Sequence, residues 1–400
     1  MCLNKRKTYK EKMEESCCVC DDEKLPMIRI DGDDARSIGL CHGKKLRDRV
    51  RRTWKWYKTL FESIGANTKL LKKQAAHFQN VIREFDERYA DEIEGIAEGC
   101  GLEPYAIYCL NARTEISLQL LQSSSDVPSE CTSAFSPKTC VLAQNWDWDE
   151  TLENLAVISE IHTKSKRHAI LTMHEPGMLA KTGFNSKGIG VCLNALHIPK
   201  DWKNGDLNGV PVHVLLRAIL DRTSYDDVRT LLLKRAKIGT SAHVLLGCKD
   251  GRYDMIEFAG NVVDFIRATK NEMVLHTNHY LGCKSLAYHS RCGFPGDVSA
   301  DSSSTTARFC RGKKLIGEKM KHVANVHAMK SLLRDDVGKF PICREMIKST
   351  SKSGGLASAL GRIGTVCCVV MDLKSLTMHV TRGSPIRNPY VSHTFSGSGP

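Results

Sequence analysis

The chain changes its hydrophobic period once, and the change falls just before Cys131. From about residue 31 to residue 120, apolar side chains recur three and four apart, as in Ala75, Phe78, Val81, Ile82, Phe85 and Tyr89, and this spacing predicts helices. The pattern continues through Ile93 and Ile96 to a Gly99-Cys-Gly101 stop, after which Pro104 opens a shorter helix toward Asn111-Ala-Arg-Thr-Glu115. A Ser/Pro stretch, Leu121-Gln-Ser-Ser-Ser-Asp-Val-Pro-Ser-Glu130, then breaks the helical regime.

Beyond Cys131 the pattern is that of strands. A hairpin runs from the cysteine into Asn145-Trp-Asp-Trp148, and further strands are predicted at 139–144, 155–162, 168–173, 188–196, 241–247, 253–258, 262–267, 272–276, 364–372 and 377–381. Helical spacing returns at 212–220, behind Pro211, at 225–234, and between about 305 and 347. Strands, two helices, strands, helices and strands predict an α+β chain with helices outside one or two mostly antiparallel sheets. A content of 42% hydrophobic residues is enough to fill such a core.

Formal charge is +13, from 58 basic and 45 acidic residues. Such an excess is the footprint of a nucleic-acid or anionic-membrane binder. Much of it, however, sits in the first dozen residues and in the run Lys44, Lys45, Arg47, Arg49, Arg51, Arg52, Lys55 and Lys58. That run is interleaved with Ile38, Leu46, Val50, Trp54, Tyr57 and Phe61, which predicts an amphipathic helix whose polar face is either solvated or a binding surface. The solvated face is the expectation, with no nucleic acid and no membrane as partners.

Seventeen cysteines are an odd number, and several lie inside apolar strand-like segments such as Thr365-Val-Cys-Cys-Val-Val370. They read as reduced, buried thiols of a cytoplasmic protein. The first twenty residues hold no apolar stretch of the secretory type, and no segment approaches the length of a membrane span. Cys17, Cys18 and Cys20 have no partner pair at zinc-finger spacing, so residues 1–28 are expected to be a disordered leader, with lipidation or metal binding as alternatives.

An internal cysteine becomes a self-contained catalyst if the peptide bond before it is cut. The thiol is then the nucleophile, and the new α-amine, with an ordinary pKa near about 8, is the base. A buried structural thiol is the plain reading of a single cysteine. The strings Asn111-Ala-Arg-Thr-Glu115, Asn145-Trp-Asp-Trp148, Lys181-Thr-Gly-Phe-Asn-Ser186, Asn194-Ala-Leu-His197, Gly209-Val-Pro211, Val274-Leu-His-Thr-Asn-His279 and Pro341-Ile-Cys-Arg344 add to it. Together and in order, they resemble the fungal isopenicillin N acyltransferase family, which includes insect β-alanyl-dopamine and carcinine hydrolases.

The resemblance implies a four-layer αββα sandwich of the N-terminal-nucleophile hydrolases, made as a proenzyme and cut autocatalytically before its cysteine. Here the cut falls between Glu130 and Cys131. It divides a helical pro-segment, residues 29–130, from a catalytic part, residues 131–400, and the two cleaved chains stay associated. The acyltransferase that gives the family its name has glycine before its cysteine where this chain has Glu130, whose side chain narrows the backbone conformations open at the junction.

By the same resemblance Cys131 is the nucleophile, Asp147 the carboxylate beside its amine and Asn278 the oxyanion donor. Arg308 supports the site, with Arg311 as a competitor. Trp146, Trp148 and Phe184 line an acyl pocket or belong to the core. His276 and His279 have His-x-x-His spacing, but at a strand end and with no carboxylate ligand implied they read as structural or pocket histidines. No metal or other cofactor is expected.

The implied activity is hydrolysis of a small N-acyl amide through a Cys131 thioester, a β-alanyl conjugate of a biogenic amine being one candidate substrate. An acyltransferase that draws on coenzyme A or an amide is the alternative. An uncleaved, basic, non-enzymatic binding protein is the third reading.

Overall fold

The computed structural model describes residues 24–120, 131–164, 168–196, 209–235, 238–259, 262–266, 272–285, 304–320, 324–348 and 360–396. The leader expected over residues 1–28 lies almost wholly outside them, as does Glu130.

Two sheets form the centre. The first contains β1 (Met27–Gly32), β4 (Val157–Thr163), β5 (Ala169–His174), β6 (Thr182–Asn185), β7 (Ile189–Ala195), β8 (Ala242–Cys248), β9 (Tyr253–Ala259) and β10 (Val262–Ile266), in that order across the sheet. The second runs β11 (Val274–His276), β2 (Thr132–Ser136), β3 (Val141–Asp149), β13 (Arg362–Asp372), β14 (Thr377–Arg382) and β15 (Val391–His393), with β12 (Ile347–Lys348) also paired to β13. All of these pairings are antiparallel except β1 with β4.

The sheets stack face to face, β2 and β3 against β7 and β8. Two glycines set how close they come. A Cβ on Gly247 would meet the Phe135 ring, and one on Gly190 would meet Leu373 and Leu142. Side-chain alternation along β3 and β13 separates the two faces: Leu142, Trp146, Val369 and Met371 point into the sheet–sheet core, while Val141, Ala143, Cys368 and Val370 pack against helices on the outside. A strand buried on both faces needs β-branched and small apolar residues throughout, which is why Thr365-Val-Cys-Cys-Val-Val370 reads as one unbroken apolar run.

Helices cover both outer faces. Over the first sheet lie α1 (Ala35–Lys45), α2 (Arg47–Ser63), α3 (Thr68–Phe85), α4 (Glu87–Cys100), α5 (Pro104–Asn111) and α6 (Arg113–Leu120), joined by α7 (Val212–Leu220), with α8 (Tyr225–Arg235) following in the chain. Over the second lie α9 (Ser304–Lys319) and α10 (Val326–Leu333). The layer order is helix, sheet, sheet, helix, as expected. No helix among the described residues is long and apolar enough to cross a membrane.

Two expectations change. The N-terminal segment opens with a strand, β1, which crosses the boundary drawn at residue 28 and joins the first sheet beside β4. The basic run is two helices meeting at Leu46, and its polar face is only partly solvated. Arg49 donates to the Asn154 carbonyl at 2.7 Å, Arg51 to that of Cys100 at 2.8 Å and Lys45 to that of Arg29 at 2.7 Å. These cations hold backbone carbonyls of a loop, a helix end and the edge strand β1.

Candidate active site

Cys131 stands at the mouth of β2, where the chain enters the second sheet. Its carbonyl is held from two sides, by Asn194 Nδ2 of β7 at 3.1 Å and by Arg308 Nη1 of α9 at 2.9 Å. Both sheets and an outer helix therefore fix the orientation of this one peptide group. Burial pushes the thiol up to about 11, and the Asp147 carboxylate adds to the rise, while the Asp147 backbone N–H, Lys181 and Arg308 pull it down.

Arg308 is fully buried. Besides the Cys131 carbonyl it donates to Thr132 Oγ1 at 2.8 Å, Asn278 Oδ1 at 2.8 Å and Ser304 Oγ at 3.3 Å. Its competitor Arg311 turns away to pair with Asp335 at 2.6 Å. One helical turn of α9 thus separates an arginine that organises the site from one that braces the outer layer.

Asn278 follows β11. Its oxygen faces Arg308, which orients the amide, and Nδ2 donates to the Ala195 carbonyl at 2.9 Å. One of its two amide hydrogens is therefore engaged. Asp147 accepts from Thr365 Oγ1 at 2.7 Å through Oδ1, while Oδ2 is buried without a hydrogen-bond partner. Burial lifts this carboxyl to about 7, against the pull of Arg308. The arrangement leaves an acceptor beside Cys131 with no donor to meet it.

A largely apolar cavity opens beside Cys131, with Trp146 and Trp148 among its walls together with Leu196 and Val212. Of its two expected places, pocket wall or core, Phe184 takes the core. It lies three residues beyond Lys181, roughly 10 Å along an extended chain, and its ring is buried edge-on against Phe395 at 5.7 Å between centroids. It belongs to the core and is not part of the cavity wall.

The cavity also holds two cations, Arg113 of α6 and Lys181, which begins the turn into β6. Both pair with one carboxylate, Glu175, at 3.0 and 2.9 Å, and Tyr57 OH donates to the other oxygen of that carboxylate. Burial would raise the Glu175 carboxyl, but Arg113 and Lys181 hold it down at about 2. Lys181 also sits 3.0 Å over the Trp146 ring. Burial brings its ammonium down to about 7, against the attraction of Glu175. Arg113 and Lys181 stand inside strings the sequence singles out, but nothing there ties them to Glu175.

His276 is a buried histidine held by its neighbours, a carboxylate among them. Its Nε2 lies 2.8 Å from Glu257 Oε1, its Nδ1 is within 3.0 Å of the Thr277 carbonyl, and its ring stacks on His243 at 3.6 Å. Both ring nitrogens are occupied, and His279 turns to Thr305 at 3.0 Å. Among the described residues no group of three or more His, Cys, Asp or Glu could hold a metal ion.

A family model described as acyl-coenzyme A:6-aminopenicillanic acid acyl-transferase matches residues 135–387, more than half of the chain. The acyl-coenzyme A:6-aminopenicillanic-acid-acyltransferase 40 kDa form of Emericella nidulans is 30% identical over 254 residues. The match covers 61% of this chain and 66% of that protein, just under two thirds of its length. Among solved structures, the C2A mutant of conjugated bile acid hydrolase from Clostridium perfringens aligns over 67% of this chain and 97% of its own, at 12% identity and a TM-score of 0.40. Penicillin V acylase from Agrobacterium tumefaciens aligns over 67% of this chain and 86% of its own, at 12% identity and a TM-score of 0.38.

Proposed function

Because the chain belongs to the acyl-coenzyme A:6-aminopenicillanic acid acyl-transferase family, a family of enzymes, we propose that it is a self-processing amide hydrolase with Cys131 as nucleophile. The observation that carries this reading is the unmet Asp147 Oδ2 beside a cysteine whose own carbonyl is doubly anchored. A buried acceptor without a donor costs stability. An α-ammonium released at Cys131 is the donor it lacks.

In the first step the Cys131 sulfur attacks the Glu130 carbonyl. The S–C bond forms as the C–N bond breaks, the nitrogen keeps the proton given up by the thiol, and water then hydrolyses the thioester to a Glu130 carboxyl and a free thiol. In turnover the thiol passes its proton to the α-amine and attacks the amide carbonyl of the substrate. The second Asn278 N–H stabilises the oxyanion, the amine leaves with the proton, and water releases the acyl group.

Small N-acyl amides fit a narrow apolar cavity of this kind, β-alanyl conjugates of biogenic amines being one class. Acyl transfer from coenzyme A or an amide to an amine is the second reading, favoured by the family's name. It shares the acyl-enzyme and replaces the final water by an amine. The third reading, a basic binding protein, loses ground because Lys45, Arg49 and Arg51 are engaged by backbone carbonyls.

Intact-mass analysis of purified wild type beside Cys131→Ala tests the processing step. Two chains that remain associated, the larger beginning at Cys131 and absent from the variant, are expected. A wild type that stays a single 400-residue chain through purification and prolonged incubation would overturn it.

A further inference from the structure

The charges around the cavity are distributed unevenly. Arg113 and Lys181 line it, whereas Glu175, the carboxylate that pairs them, stands behind them and is not part of the wall. Asp147 is the acidic side chain among the lining residues, and it lies at the Cys131 end, where Thr365 and Arg308 attend it. A ligand entering from solvent therefore meets two cations whose counter-charge is behind them.

Arg113 is underused as a donor. Glu175 is its one hydrogen-bond partner among the described residues, reached through a single Nη, although Arg113 lines the cavity. The guanidinium is clamped in place by the Tyr57 ring at 5.2 Å and the Trp148 ring at 5.6 Å. A rigid, partly satisfied guanidinium in a mostly apolar cavity is a receptor for a planar anion, and for carboxylate above all. An ammonium in the same place meets like charge with little water to screen it.

We propose that Arg113, with Lys181 beside it, selects N-acyl amides that carry a carboxylate, and disfavours those whose acyl group ends in an ammonium. This rests on the hydrolase reading above and sharpens it, since it sets β-alanyl conjugates below their carboxylate counterparts. It also gives the N-terminal segment a part in specificity, because Arg113 lies upstream of the cut. Lys181 supports the same conclusion, since its charge is marginal near neutrality and an adjacent anion favours its charged form.

The test uses the full-length protein and matched 4-nitroanilides of glutaryl, pentanoyl and β-alanyl groups, which place a carboxylate, a neutral end or an ammonium on the acyl side. N-pentanoylglycine and N-pentanoyl methylamide form the amine-side pair. If the acyl end faces Arg113, the glutaryl anilide is expected to exceed the pentanoyl anilide in kcat/KM by at least about tenfold, with the β-alanyl compound lowest; if the amine end does, the glycine conjugate is expected to exceed the methylamide by as much. The arm that shows the preference identifies which end of the substrate faces Arg113. Ratios near unity in both arms, or a preference for β-alanyl, would overturn the proposal.

Arg113→Gln should collapse the carboxylate-to-neutral ratio and Arg113→Lys should keep part of it, whereas a purely structural role would lower both substrates alike. Calorimetry of the Cys131→Ala chain with glutarate and with butyramide reads the anion site without catalysis. Glutarate binding with no acylation of Cys131 by any substrate would leave this proposal standing and sink the hydrolase reading. Acylation of Cys131 with no charge preference and no glutarate binding would do the reverse.

Discussion

Glu175 and Asp147 are buried carboxylates near the same cavity, and their surroundings drive them in opposite directions. Glu175 is held at about 2, below its ordinary 4.5, by Arg113 and Lys181 in spite of burial. The unfolded chain binds its proton more readily, so its stabilising effect is complete above about pH 4.5 and is lost as pH falls toward 2. Asp147 is raised from 3.8 to about 7 by burial. The folded chain binds that proton more readily, so its contribution makes stability fall as pH rises from about 4 to about 7. Urea unfolding checks both. Between about pH 5.5 and 3.5, wild type should lose roughly 1 kcal/mol more than Glu175→Gln. The advantage of Asp147→Asn over the uncut wild-type site, measured in a Cys131→Ala background, should grow from pH 4 to pH 8. At this scale the sequence was informative where a string carried a resemblance: Cys131, Asp147, Asn278 and Arg308 do converge. It was silent on Glu175, because a buried counter-charge has no local pattern and is defined only by the cations that fold onto it.

At the scale of elements, α1 and α4 make the closest contact of the N-terminal layer, and glycine makes it possible. A Cβ on Gly39 would lie 2.0 Å from the Glu92 carbonyl oxygen and one on Gly43 would lie 2.3 Å from that of Ile96. Gly95 and Gly99 stand in the same relation to Arg36 and Leu40, at 2.3 and 2.5 Å. Each helix therefore presents two glycines four apart, and the backbones touch. Gly39→Ala or Gly95→Ala should force the pair apart at a cost of about 1–3 kcal/mol, read as a lowered Tm, while alanine at Gly317, where nothing lies within 4 Å, should be neutral or mildly stabilising. The pair is hard to read in advance because Gly99 resembles a helix stop. The stop is Gly101, which takes the left-handed conformation at φ 68°. Val212–Leu220 is found at its predicted bounds because Pro211 and an apolar stripe agree. By contrast β6 and β15, of four and three residues, are too short for alternation to separate them from loops.

At the scale of the whole molecule, the segment upstream of Cys131 is built into the same body as the rest. β1 adds an edge to the first sheet, Glu92 pairs with Arg217 at 2.6 Å, Tyr89 bonds Asp221 at 2.9 Å, and Glu115 accepts the Val212 N–H at the start of α7 at 2.9 Å. Calorimetry should therefore show one endotherm, with no separate melting of the N-terminal helices, in both Cys131→Ala and processed protein. A distinct low-temperature transition would mean that the two parts are independent. The hold of Arg308 on the Cys131 carbonyl spans 177 residues of sequence. On the ribosome, at about 5–20 residues per second, that separation is a delay on the order of ten seconds or more between the making of the cysteine and the making of its anchor. Synthesis order thus acts as a timer. The bond before Cys131 stays outside a finished site until most of the chain has been made, so under the proposed processing the cut dates each molecule to a late stage of its own synthesis.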